Sequence, residues 1–147
     1  MNVAIGCDHG GFPVKDIVIS VLRDLGVAVD DHGCASADSV NYPDYARLVC
    51  QAVVDGKADR GILICGTGIG MSMAANRYPT IRAALCQDIF TARMSREHND
   101  ANVLCLGARV VGPGLMIEIV KEWILTDFAG GRHQTRIDMF SEIGAAR

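Results

Sequence analysis

Two patterns of apolar residues alternate along the chain. Short unbroken apolar runs are separated by longer stretches in which apolar residues fall three or four apart. Residues 2–6 form the first run and read as a strand. In 13–25, Val14, Ile17, Val18, Val21, Leu22 and Leu25 share one helical face, with Pro13 suited to the first turn and Gly26 to the stop. A second strand is expected over 27–31, then a polar loop over 36–41. Tyr42-Pro43-Asp44 opens a helix expected to bury Tyr45, Leu48, Val49, Ala52 and Val53 and to end at Gly56. Residues 61–65 are continuously apolar, as in a central parallel strand. A glycine loop over 66–70 leads into a helix near 71–77. Strands are expected over 81–86 and 102–106, with a helix over 88–96 between them. Gly112-Pro113 starts a long helix ending near Phe128. Its stripe of Leu115, Met116, Ile117, Ile119, Val120, Trp123, Ile124, Leu125 and Phe128 is wider than one sheet face needs, which predicts a second cover such as a neighbouring subunit. Gly130-Gly131 breaks the chain before a last helix over 135–145.

Repeated strand–helix units imply an α/β domain, a parallel sheet with helices on both faces. Nothing in 1–147 marks a second domain or an internal repeat. Ligands of such sheets bind beyond the carboxyl ends of the strands, where connections diverge to opposite faces. That directs attention to 7–11, 65–70, 87–88 and 107–112.

Composition narrows the class. Half of the 147 residues are hydrophobic and 21% are charged, which excludes disorder as the dominant state. No apolar run is long enough for a membrane span, and the opening residues lack the basic lead of a signal peptide, so the cytoplasm is the expected compartment. A net charge of −3 does not fit a non-specific binder of nucleic acid or membrane. The cysteines at 7, 34, 50, 65, 86 and 105 form no CxxC pair, and five of the six end or interrupt apolar runs. They read as buried thiols in a reducing compartment, with Cys65 set apart. No pair of Cys or His has ligand spacing, so no metal site is expected.

Cys65-Gly66-Thr67-Gly68-Ile69-Gly70 carries the most information. Three glycines in five positions let backbone N–H groups turn towards one point, which makes a cradle for a phosphate, a carboxylate or a developing oxyanion. A P-loop would end in Gly-Lys-Ser/Thr, and no lysine is present. A dinucleotide fingerprint needs a sixth-position glycine where Met71 stands, although Asp88 lies at the spacing of a ribose-binding acid. The remaining reading is a tight turn with no ligand. Cys65 ends the strand and faces this loop, where a thiolate would serve as nucleophile or base. Thr67 adds a hydroxyl. Asp8 and His9, after the first strand, either work on a hydroxyl or ring oxygen or are a helix cap and a surface histidine. His98 lies in a polar cluster, 96–102, as an acid or base or as part of a helix-capping loop. Arg109 follows the fifth strand. Arg132 and Arg136 share a helical face beside His133, and are either phosphate ligands or a solvated surface.

These residues together resemble the type B ribose-5-phosphate isomerases, the family that also holds galactose-6-phosphate isomerase subunits. The likeness rests on 6–11, on Cys65–Gly70 continuing through Met71-Ser72-Met73-Ala74-Ala75-Asn76-Arg77, and on 95–102, 107–112 and 130–136. It implies a three-layer αβα sandwich with a five-stranded parallel sheet, Rossmann-like. It also implies a cofactor-free and metal-free aldose–ketose isomerase that works through an enediol(ate). On the resemblance Cys65 is the base, Thr67 the hydroxyl near the O1/O2 end, and His98 and Asp8 the ring-opening pair. The amides of Gly66, Gly68, Ile69 and Gly70 match the anion hole, Tyr42 and Asn99 the sugar contacts, and His9, Arg109, Arg132 and Arg136 the phosphate set. A homodimer or homotetramer with sites shared between subunits is implied, the region from His98 to Arg109 being the part the neighbour contributes. A six-carbon sugar phosphate such as allose or galactose 6-phosphate is the alternative substrate. Outside the class stand a nucleotide-binding module built on Asp88 and a thiol-redox protein.

Overall fold

The computed structural model describes residues 1–143. Five strands form one wholly parallel sheet: β1 (Asn2–Cys7), β2 (Ala28–Asp31), β3 (Arg60–Cys65), β4 (Ala83–Leu85) and β5 (Val103–Gly107). Their spatial order is β2-β1-β3-β5-β4. The helices between them are α1 (Phe12–Asp24), α2 (Tyr42–Val54), α3 (Ile69–Ala75), α4 (Ile89–Glu97) and α5 (Pro113–Leu125). A short α6 (Arg132–Asp138) and a 3-10 turn (Met139–Glu142) follow. The expected three-layer α/β architecture is therefore present. The far end of the expected last helix lies outside the described residues. No described helix is long and apolar enough to cross a membrane.

Side-chain alternation sorts the core into two layers. Val3, Ile5, Cys7, Ile62, Ile64, Leu104 and Leu106 face α1, α4 and α5. Ala4, Leu63, Cys65, Val103 and Cys105 face α2 and α3. Because α1 leaves β1 on one face and α3 leaves β3 on the other, the chain diverges between the carboxyl ends of these neighbouring strands. That crevice is where this topology places a ligand.

Three elements depart from the periodicity. Helix α2 buries Ala46, Val49, Cys50 and Ala52 and leaves Leu48 exposed. It sits so close that a Cβ on Gly6 or Gly61 would come within 2.8 or 2.7 Å of Val49, so the small residues of the helix, not its largest, face the sheet. The wide stripe of α5 is covered in part within the chain: Met116, Ile119, Val120, Trp123 and Ile124 are buried against α1 and α4 on either side, while Leu115 and Leu125 stay exposed. The helix ends at Leu125, and Phe128 follows it. Strand β4 keeps only three residues at the sheet edge. There the Asn76 amide pairs with Ala83 like a strand neighbour, donating to its carbonyl at 2.9 Å and accepting from its N–H at 2.9 Å.

Candidate active site

Cys65 ends β3 on the α3 side of the sheet. The chain must reverse at once to begin α3, and Gly68 does so with φ of +78°, a conformation that glycine takes without a Cβ clash. The turn brings the Gly68 N–H to 3.1 Å from Cys65 Sγ, which accepts it. The Thr67 hydroxyl accepts from the Ile69 N–H at 3.3 Å, and its side chain stands at the exposed lip of the loop. The hydroxyl end of the Tyr42 ring, from the start of α2, lies close against Gly70, where a Cβ would be 2.7 Å from its Cζ.

The neighbouring β1 loop meets this turn. The Asp8 N–H donates to the Ile64 carbonyl at 3.2 Å. Asp8 is buried, and its Oδ1 accepts from the Gly10 and Gly11 N–H groups at 2.8 and 3.1 Å. Beside it, His9 Nδ1 accepts the Val40 N–H at 3.3 Å. A backbone amide only donates, so Nδ1 is unprotonated in the neutral ring and Nε2 carries the hydrogen, free to donate to an anion. From the other side, the Ala108 and Arg109 N–H groups donate to the Cys65 and Gly66 carbonyls, each at 2.9 Å. Arg109 Nη1 then lies 3.4 Å from where a Cβ on Gly66 would sit. One chain thus gathers a thiol, a carboxyl group, an imidazole donor, a guanidinium and the turn amides at the β1/β3 crevice.

His98, Asn99, Arg132 and Arg136 are not there. Helix α4 runs back from the carboxyl edge of the sheet, so its end reaches the opposite edge, where β5 begins. Arg82 fastens this corner, donating through Nε to the Asn99 and Asp100 carbonyls at 3.1 and 3.0 Å. Helix α5 ends at the same edge, its Trp123 and Ile124 carbonyls bound by Arg60 at the start of β3. Gly130 and Gly131, with φ of +64° and +53°, then turn the chain so that α6 starts against α4. The Ala129 N–H donates to the Glu97 carbonyl at 3.0 Å, and the His133 ring stacks on His98 with centroids 4.2 Å apart and planes 8° from parallel. Burial pushes the His133 pKa down, and His98, Arg132 and Arg136 push it further. The two clusters stand a strand length apart, about 15 Å for five residues. Of the pair that the resemblance assigns to a neighbour, Arg109 comes with the Cys65 loop of its own chain and His98 does not.

Cavities of about 240, 560 and 360 Å³ are lined by neither Cys65, Asp8 nor Arg109. The first includes Asn99, at the β4 edge.

The other candidate segments resolve into structure. Asp88 caps α4, accepting from the Thr91 N–H at 2.7 Å and its hydroxyl at 3.0 Å. It stands after β4, which β5 separates from β3, so it is not placed as the ribose acid of the Gly66–Gly70 turn. All six cysteines are free and buried. Burial and the nearby Cys34 push the Cys7 thiol up to about 12, and burial takes Cys50 to about 11. The His98–His133 stack joins residues 35 apart in sequence, and no periodicity announces it.

Comparison with known proteins bears on the family and the fold. Residues 3–140 match the Ribose/Galactose Isomerase family. Ribose-5-phosphate isomerase B of Escherichia coli is 46% identical over 146 residues, 99% of this chain and 98% of that protein. D-erythrulose-4-phosphate isomerase of Pectobacterium atrosepticum is 40% identical over 139 residues, 94% of this chain and 91% of that protein. The solved structure of Clostridium thermocellum ribose-5-phosphate isomerase B superposes with a TM-score of 0.95 at 51% identity, covering 97% of each chain. With nearly its whole length shared in sequence and in backbone, the chain belongs to the ribose/galactose isomerase family.

Proposed function

We propose that this protein interconverts ribose 5-phosphate and ribulose 5-phosphate by proton transfer through an enediolate. The observation that carries the reading is Cys65 Sγ at the end of β3, held by the Gly68 amide within a turn of glycine N–H groups. Proton transfer next to a carbonyl needs a base and a stabiliser for the oxygen that becomes negative. Cys65 as thiolate takes the proton from C2 and, as thiol, returns it to C1. The amides of the Gly66–Gly70 turn hold the developing oxyanion, and the Thr67 hydroxyl, at the lip of the same turn, serves the O1/O2 end.

Ribose 5-phosphate enters as a closed ring, so a proton must first move from its anomeric hydroxyl to the ring oxygen as the bond from C1 to that oxygen breaks. Asp8 and His98 are the pair for this step. The phosphate, remote from the reacting carbons, anchors the open chain through His9 Nε2–H and the guanidinium groups of Arg109, Arg132 and Arg136. Tyr42 and Asn99 contact the sugar between. Since His98, Asn99, Arg132 and Arg136 lie at the other edge of the sheet from Cys65, the site is completed by a second copy that presents its own His98 edge. A twofold pair makes two such composite sites.

The test is turnover of ribose 5-phosphate in EDTA by the wild type and by Cys65→Ala. The wild type is expected to turn over and the variant to lose at least about a thousand-fold in kcat with its fold intact. Substantial turnover by Cys65→Ala would refute the base assignment. Relative kcat/KM on four-, five- and six-carbon sugar phosphates tests the substrate; a preference for either of the others would displace ribose 5-phosphate.

A further inference from the structure

We propose that His133 is a positioning residue for His98: the flat stack of the two rings fixes the plane in which His98 handles its proton. The inference rests on His98 acting in ring opening as read above. His98 caps the end of α4 with its side chain about two-fifths exposed. Among the described residues its ring makes no hydrogen bond, and its Nε2 lies 3.9 Å from Glu97 Oε1, beyond hydrogen-bonding reach. A half-exposed histidine so placed would turn freely about its side-chain bonds. A proton-transfer group gains from being held in one orientation before substrate arrives.

His133 supplies the missing restraint. It is 8% exposed, in contrast to its neighbours Arg132 and Gln134, which stand in solvent. Its N–H donates to the Gly130 carbonyl at 3.0 Å, and the Ala129 N–H ties the same turn to the Glu97 carbonyl. The turn is therefore anchored to the helix end that carries His98. The ring it places is parallel to that of His98 within 8° at 4.2 Å, a contact made by the flat face and not by a ring nitrogen. What this site needs at residue 133 is a flat ring.

The charges around the pair act in the same direction. Two imidazolium rings in contact repel, and Arg132 and Arg136 on α6 oppose a proton on His133. Glu97, on α4, favours one. The lowered His133 pKa favours its uncharged form, and the stack offers His98 the flat face of that ring.

A set of variants separates the plane from the nitrogens. His133→Phe keeps a flat ring and is expected to stay within about three-fold of wild-type kcat, whereas His133→Ala falls about ten-fold or more with KM within about two-fold. His133→Gln, polar and without a ring, serves if the alanine variant does not fold, and is expected to behave like it. Imidazole resonances of His98 in the full-length protein report the stack without reference to activity: the ring-current shift is lost in His133→Ala and retained in His133→Phe. Equal damage from Phe and Ala, or His98 resonances unmoved by His133→Ala, would overturn the inference. His98→Ala is run in parallel. If it keeps full turnover, the ring-opening assignment fails, and positioning for catalysis fails with it. If it is inactive while Phe and Ala at 133 behave alike, the positioning inference alone fails.

Discussion

Cys7 and Cys50 take no part in the chemistry proposed at Cys65, yet their thiols couple stability to pH. Burial holds both as neutral thiols, Cys7 up to about 12 and Cys50 up to about 11 against an ordinary value of 9.0. Below pH 9 both are protonated whether the chain is folded or not. Above it the unfolded chain releases protons that the folded chain keeps, so stability falls as pH rises towards 11 and 12. Thermal midpoints of wild type and Cys50→Ala, taken at about pH 9 and about pH 11, are expected to drop less in the variant. Equal drops would remove this thiol as a cause. The same apolar surroundings made these cysteines readable in the sequence as core residues, since each ends or interrupts an apolar run. Cys65 was separable because glycines follow it. Asp88 misled the dinucleotide reading because the spacing of a ribose acid and of a helix cap coincide, and only the strand order tells them apart.

Elements are held by contacts that periodicity does not register, and the turn from α4 into β5 is the clearest instance. Asp100 adopts φ of +44°, the only non-glycine among the described residues with a positive value. Its carboxylate accepts from Arg82 Nη2 at 2.7 Å and from Arg96 Nη1 at 2.8 Å. The Arg96 side chain is almost fully buried, its guanidinium 5.7 Å from the Trp123 ring. Asp100→Ala removes the counter-charge of a buried cation and leaves alanine in a left-handed conformation. With Asp100 itself partly solvated, the expected loss is about 2 kcal/mol. Asp100→Asn, which tolerates that backbone and still accepts a hydrogen bond, is expected to lose less. Urea denaturation of both variants checks the order, and an alanine variant as stable as wild type would show that the pair contributes nothing. Strand and helix order were legible because a parallel sheet buries both faces of its strands. The cover of α5 was legible only in part, because periodicity does not say which apolar residues of a wide stripe meet the flanking helices and which, like Leu115 and Leu125, stay exposed. The shortness of β4 was hidden in the same way, since Ile81 is apolar for a turn packed on the core, and Cys86, whose N–H still donates to the Cys105 carbonyl at 3.2 Å, lies just past the paired residues.

At the scale of the molecule, the candidate residues fall into two sets at opposite edges of one sheet. Cys65, Asp8, His9, Tyr42, Thr67 and Arg109 gather at the carboxyl edge, and His98, Asn99, Arg132 and Arg136 at the other. Residue types and spacing named members of both sets, but spacing along a chain does not say which end of a sheet a helix returns to. A rigid five-stranded sheet cannot fold back on itself, so no small motion within one chain joins the sets. Two chains can join them, and the arithmetic of mixing tests this. Cys65→Ala and His98→Ala are each inactive as pure proteins if both residues are needed at every site. In a hybrid pair, one composite site combines both substitutions and is dead, while the other combines Cys65 of one chain with His98 of its partner and is intact. Equal mixing with free exchange makes half of the pairs hybrid, each with one of two sites working, so activity should recover to about a quarter of wild type. Recovery that rises with the time allowed for exchange, and vanishes when the chains are cross-linked before mixing, would identify the hybrid as its source. No recovery, with exchange confirmed by mass-tagged subunits, would mean that Cys65 and His98 work within one chain or in separate processes.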